Sequence, residues 1–154
     1  MTQFETQTQA APHQLTEPDP DGPLVGIIMG SQSDMELMQK AGKVLEEAEV
    51  TFELHVMSAH RHPDKVAEYC RTARQRGLRV IIAGAGLSAA LPGVAAAHTD
   101  LPVIGVPLSS SLSAAGGLDA ILSVVQMPPG VPVASVGLDN SRNAAHLAVR
   151  IINA

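Results

Sequence analysis

The run Leu24-Val25-Gly26-Ile27-Ile28-Met29 carries no charge and passes at once into Gly30-Ser31-Gln32-Ser33-Asp34 and an amphipathic stretch. An apolar run of this kind is the pattern of a strand buried on both faces, which belongs to parallel sheets covered by helices. A strand that enters a helix through a short Gly/Ser/Asp turn therefore restricts the chain to α/β architectures. The same turn suits an anion: Gly30 permits close approach to the backbone, Ser31 and Ser33 offer hydroxyls, and the helix would direct N–H groups and the positive end of its dipole there. Asp34 is negatively charged and fits sugar hydroxyls rather than a phosphate. A purely local reading stands beside this one, in which Ser33 or Asp34 only caps the helix.

The pattern repeats along the chain. Met38, Ala41, Leu45 and Ala48 recur at helical spacing, with Glu36, Lys40, Lys43, Glu46 and Glu47 elsewhere on the wheel, which predicts a first surface helix. A second strand is predicted over Phe52 to Met57, leading to Ser58-Ala59-His60-Arg61-His62-Pro63. Pro63 fits the first turn of a helix with Val66, Cys70 and Ala73 inward, stopped by Gly77. Val80 to Ala83 is a third strand, and the small residues from Gly84 to Gly93 allow close approach to a ligand or to a neighbouring chain. Helix over Val94 to His98, strand over Pro102 to Pro107, helix over Gly117 to Gln126, strand over Val131 to Val136 and helix over Ser141 to Asn153 complete the series.

Five strands alternating with five helices predict one α/β domain over residues 23–154. It is a three-layer αβα sandwich with a flavodoxin-like five-stranded parallel sheet of order 2-1-3-4-5. That order sets the turns after strands one and three beside the switch point, with the turn after strand two in reach, so a ligand belongs at the carboxyl ends of the strands. Residues 1–22, rich in Gln, Thr, Pro and Asp and without periodicity, are expected to form a disordered N-terminal tail.

With 45% hydrophobic residues but only 2% aromatic, the core must be packed from aliphatic side chains. A net charge of −5 without a basic cluster argues against nucleic acid and against an anionic membrane as partners. One cysteine, no apolar run near 18 residues and no secretory start predict a cytoplasmic protein. Between Val80 and Leu138 there is no Lys or Arg, and the only acids are Asp100 and Asp119. Helices in that span would leave a monomer with a large uncharged surface, which predicts a closed homo-oligomer.

His60 and Arg61 form the strongest chemical pair. Histidine can give and take a proton near neutral pH, and arginine offers a fixed fork for phosphate; the plain alternative is a solvated loop pair. His55, His60 and His62 lack the spacing of a metal site, His98 and His146 fall in helical patterns, and Cys70 lies on an inward stripe. Gly84-Ala85-Gly86 lacks the later glycine and the distal acid of a dinucleotide fingerprint, so no NAD is expected.

Taken in order, Met29-Gly30-Ser31-Gln32-Ser33-Asp34, Ser58-Ala59-His60-Arg61-His62-Pro63, Ala83-Gly84-Ala85-Gly86 leading to Leu91-Pro92-Gly93, Gly105-Val106-Pro107, Ser123-Val124-Val125-Gln126-Met127-Pro128 and Asn143-Ala144-Ala145 resemble successive signatures of the bacterial N5-carboxyaminoimidazole ribonucleotide mutases of purine biosynthesis. The resemblance implies a homo-octamer without metal or organic cofactor, and transfer of a carboxyl group from an exocyclic nitrogen to a ring carbon. It also implies that Ser31 and Arg61 bind the substrate phosphate, Asp34 the ribose hydroxyls, and that His60 carries the proton. Ser33, Ser58, Ala59 and the loop from Gly84 to Leu91, including Ala85, Ser88 and Ala89, would complete the pocket. The loop departs from the usual mutase pattern, since Ala90 stands where a histidine ordinarily precedes Leu-Pro-Gly and Leu87-Ser88 replaces a small pair. Ser88 is similar to the serine of related carboxylases that use carbon dioxide directly, whereas Arg61 is similar to the mutases. Direct carboxylation is the alternative within enzymes, and a flavodoxin-like nucleotide- or flavin-binding module the alternative outside them.

Overall fold

The computed structural model describes residues 17–154. Five parallel strands, β1 (Val25–Met29), β2 (Phe52–Val56), β3 (Val80–Gly86), β4 (Val103–Leu108) and β5 (Ala134–Ser135), form one sheet of order β2-β1-β3-β4-β5. Five helices alternate with them: α1 (Met35–Glu47), α2 (Pro63–Thr72), α3 (Leu91–Ala97), α4 (Leu118–Val125) and α5 (Ser141–Ile152). This is the predicted strand order, and the pleat explains the two layers around it. Ile27 and Ile28 point to opposite faces, each fully buried, and each side chain contributes about 1.5–3 kcal/mol through burial. On one face Val25, Ile27, Met29, Ile82 and Val106 pack against Met38, Ala41 and Leu45 of α1 and Ala144, Ala145 and Ala148 of α5. On the other, Ile28, Ile81 and Ala83 pack against Val66 and Cys70 of α2, Ala95 of α3 and Ala120 and Val124 of α4.

Of the boundaries that differ from the sequence reading, three have a local cause. β3 runs on through Gly84, Ala85 and Gly86, paired with Val106, Pro107 and Leu108; the small residues continue a strand where a loop was expected. α3 starts at Leu91 rather than Val94, because Pro92 sits in its first turn, where the missing N–H is not needed. The fifth strand shrinks from Val131–Val136 to Ala134–Ser135, since Pro132 lies inside the expected run and cannot donate to a ladder.

Most of the expected tail, residues 1–16, lies outside the described residues. Residues 17–22, assigned to it from sequence, include a turn docked on the segment after α2. The Asp19 N–H donates to the Gln75 carbonyl at 3.1 Å, and Gly22 lies so close to Arg76 that a Cβ would fall 1.9 Å from its carbonyl oxygen. These contacts attach the end of that segment to the domain.

At the β2 edge, Arg76 lies over the Tyr69 ring at 4.5 Å and donates to Glu53, while His55 meets Tyr69 edge-on. Burial acts to raise the Glu53 pKa, but Arg76, with Tyr69 and His55, outweighs it and holds the carboxyl below its usual range. Burial, reinforced by Glu53, pushes the Tyr69 phenol far above its usual range.

Candidate active site

Four loops at the carboxyl ends of β1, β2, β3 and β4 enclose a cleft of about 550 Å³. The β1 turn contributes Gly30, Ser31, Ser33 and Asp34, and the β2 turn Ser58, Ala59, His60 and Arg61. β3 and its loop supply Ala85, Gly86, Leu87, Ser88, Ala90 and Leu91, and the β4 loop Ser109 to Leu112. Among the described residues, only three lining side chains carry acidic or basic groups, Asp34, His60 and Arg61, beside seven serines.

The β1 turn is a single 3-10 turn over Gln32–Asp34 closed by a reciprocal cap. Ser31 Oγ accepts the Ser33 N–H at 3.3 Å, and Asp34 Oδ2 accepts the Ser31 N–H at 3.1 Å. Capping is therefore real, but the cap residue is Ser31, with Asp34 as its carboxylate partner. It also changes the anion argument made from sequence. The N–H groups of Ser31, Ser33 and Asp34 are bonded within the turn, and the Gly30 N–H donates to the Gly84 carbonyl. Hydroxyls rather than these amides are left for a ligand. Ser31 Oγ takes one hydrogen from the Ser33 amide and lies 2.9 Å from Ser33 Oγ, which donates to it, so its own hydrogen is free to donate. Burial raises the Asp34 pKa, opposed by its bond from Ser31.

The β2 turn is held by Ser58. Its Oγ accepts the Arg61 N–H at 3.2 Å and its carbonyl accepts the His62 N–H at 2.9 Å, wrapping the chain so that His60 and Arg61 follow one another along the cleft. Among the described residues Arg61 has no ion-pair partner. An uncompensated guanidinium beside free serine hydroxyls is chemistry for a dianionic oxygen cluster.

Ten of the twelve residues singled out from sequence line the cleft: Ser31, Ser33, Asp34, Ser58, Ala59, His60, Arg61, Ala85, Ser88 and Leu91. Gly84 and Ala89 do not. Gly84 is buried in β3, where a Cβ would lie 2.4 Å from Met38 Sδ, so its smallness serves packing against α1. Ala89 is 1% exposed and joins the core beneath the loop. Leu87 holds φ at +56°, an uncommon conformation for a branched residue, with its side chain exposed at the rim. Sequence reasoning missed the wall of Ser109, Ser110, Ser111 and Leu112. Its signal was three consecutive serines at the carboxyl end of a predicted parallel strand. Cys70 is buried away from the cleft, and burial pushes its thiol up to about 11. Among the described residues no group of three or more His, Cys, Asp or Glu side chains is arranged to hold a metal.

Residues 24–154 match the family described as AIR carboxylase. The chain belongs to that family. An N5-carboxyaminoimidazole ribonucleotide mutase of Pyrococcus abyssi is 60% identical over 131 residues, covering 85% of this chain and 74% of that protein. A phosphoribosylaminoimidazole carboxylase of Schizosaccharomyces pombe is 56% identical over 132 residues, 86% of this chain but only 24% of that protein. Among solved structures, Treponema denticola PurE superimposes with a TM-score of 0.73 at 34% identity, covering 85% of this chain and 80% of that one. The family match spans all four cleft loops, so the cleft is part of what the chain shares with it.

Proposed function

We propose that this chain is a 5-(carboxyamino)imidazole ribonucleotide mutase, an isomerase of purine biosynthesis that moves the carboxyl group from the exocyclic nitrogen to C4 of the ring. The observation that carries the reading is the 60% identity to a mutase over 74% of that protein's length, against a match to a quarter of the fungal carboxylase. The cleft supports it with a small set of parts. Arg61 and Ser31 bind the phosphate, Asp34 the ribose hydroxyls, and His60 stands beside them as the proton carrier. Ser33, Ser58, Ala59, Ala85, Ser88 and Leu91 shape the remainder.

In this mechanism protonated His60 delivers its proton to the exocyclic nitrogen as the nitrogen–carboxyl bond breaks, releasing carbon dioxide into the cleft. The nucleophilic ring carbon then adds to that carbon dioxide, and neutral His60 removes the C4 proton to restore the aromatic ring. Atoms balance without metal or organic cofactor, and His60 ends protonated, as it began. Ala90 leaves this loop without a second histidine, so one residue serves as acid and then base.

A coupled assay decides between the two enzymatic readings. Turnover of the carbamate substrate without added bicarbonate supports the mutase; turnover only of free aminoimidazole ribonucleotide with bicarbonate would replace it with direct carboxylation. The protein acts as a cytoplasmic homo-octamer in this proposal. Its support is the span from Val80 to Leu138, which has no Lys or Arg and only two acids and on which Leu112, Leu118, Leu122 and Val125 are exposed, and the absence among the described residues of any helix long and apolar enough to cross a membrane. Light scattering should report several times the mass of one chain, and a monodisperse monomer would refute the assembly.

A further inference from the structure

Asp139 belongs to none of the motifs above, yet its carboxylate reaches the wall of the cleft. It lies in the turn between β5 and α5 at φ +58°, a left-handed conformation that Asp and Asn adopt more readily than other non-glycine residues. Its N–H donates to the Pro107 carbonyl at 2.9 Å, which ties the turn to the end of β4. From there its carboxylate takes both donors of one residue: Oδ1 accepts the Ser109 N–H at 2.8 Å and Oδ2 accepts the Ser109 hydroxyl hydrogen.

That double bond pattern fixes the polarity of Ser109. A serine hydroxyl normally turns to donate or accept as a ligand requires, but here its one hydrogen is committed to a carboxylate, so Oγ can only accept from the cleft. Donating its hydrogen to a carboxylate makes that oxygen a stronger acceptor. Neighbouring strands lie about 4.8 Å apart, so the β4 loop stands about 10 Å across the sheet from the β1 turn. With the phosphate at Ser31 and Arg61, the rest of the cleft open to a heterocycle is the side lined by the β3 and β4 loops. On an aminoimidazole the matching donor is the exocyclic amine. The migrating carboxylate does not fit there, because Asp139 would repel it.

We propose that Asp139 is a positioning residue that holds the Ser109 hydroxyl as an acceptor for the exocyclic amine of the aminoimidazole ring. This rests on the ribonucleotide reading above. The nitrogen carries at least one hydrogen both before and after the carboxyl leaves it, so the contact would hold the ring's C–N axis in place through the transfer.

The test compares two ligands on the full chain by calorimetric titration: the 4-carboxy-5-aminoimidazole ribonucleotide, and the same molecule with hydrogen in place of the amine. Wild type should prefer the amine by about five- to tenfold, the worth of one neutral hydrogen bond. Ser109→Ala should lower that preference below about twofold. Asp139→Asn keeps the left-handed turn, but its amide NH₂ must donate to Ser109 Oγ, so the serine hydrogen turns into the cleft and the preference should again be lost. Retention of the preference in both variants, or an equal loss of affinity for both ligands, would overturn the proposal. Equal binding of both ligands by wild type would also overturn it while leaving the ribonucleotide reading intact. Failure of wild type to bind either would overturn that reading, and the proposal with it.

Discussion

Gly84 and Gly105 lie in interior strands, and a methyl group added to either has no free space, but the neighbours differ in how they can respond. At Gly84 a Cβ would stand 2.4 Å from Met38 Sδ, 2.8 Å from Met38 Cε and 3.2 Å from Leu108 Cδ1, so the sulfur is about 1 Å inside ordinary contact. Methionine has rotatable bonds to redistribute that displacement, which puts Gly84→Ala near the low end of overpacking, about 1 kcal/mol. At Gly105 the neighbours are Val124 Cγ1 at 2.4 Å, Val133 Cγ1 at 2.9 Å and Pro92 Cβ at 3.2 Å. Two β-branched side chains and a ring have no rotamer into which to retreat, so helix α4 itself must shift, at about 3 kcal/mol. For a chain of this size each kcal/mol lowers the melting midpoint by about 2–4 °C, giving about 2–4 °C for Gly84→Ala and about 6–12 °C for Gly105→Ala. Thermal and urea unfolding measure this, with nucleotide titration alongside. Because the Gly84 methyl faces Met38 and not the cleft, nucleotide affinity should stay within about twofold. A Gly84→Ala protein with unchanged stability but lost affinity would show that the residue is small for the ligand; equal costs at both sites would refute the rotamer argument.

Arg61→Ala should weaken ribonucleotide binding by roughly 10- to 100-fold, the value of a charge-assisted phosphate contact, and Arg61→Lys should recover part of it by calorimetry. His60→Asn should bind the ribonucleotide nearly normally while turnover of the carbamate falls by about 10²–10⁴-fold, measured at saturating substrate. Glu53 has a folded pKa below its ordinary 4.5, so its ion pair with Arg76 contributes stability above that pH and loses it as pH falls through the folded value. Urea midpoints of wild type and Glu53→Gln should therefore differ at pH 7 and converge as the pH falls below 4.5 and through the folded value.

Much of the fold was legible because period and punctuation agreed. Val80 to Ala83, with no polar residue, read as an interior strand, and Pro63 before Val66 and Cys70 marked a helix start. Alternation implied a parallel sheet, and the flavodoxin-like order chosen for five strands is the one observed. What went unread was decided by contacts distant in sequence. Val131 to Val136 has strand composition, but Pro132 removes a donor and leaves two paired residues. Of the cleft, the turns after β1 and β2 were legible since Gly30 to Asp34 form a short Gly/Ser/Asp turn into a helix, and His60 and Arg61 have no packing reason to end a strand. The β4 wall was not, because serines are common in loops and the residue that orients Ser109 lies 30 positions away.

Glycine sets the sharper limit on sequence reading, since the same absence of a side chain permits two different kinds of approach. A Gly/Ala run after a strand reads as room for a ligand, and Ala85 and Gly86 do line the cleft. Gly84, one residue before Ala85, faces the opposite way from it, and the group that comes close is Met38 of α1. The strand's period of two decides between these roles: once β3 is known to continue to Gly86, its residues must alternate, and only alternate members of the run can turn toward α1. Ending the strand at Ala83 removed that alternation and made every small residue look equally available to a ligand. The error at Gly84 and the error in the length of β3 therefore have one cause, the loss of the pleat's alternation.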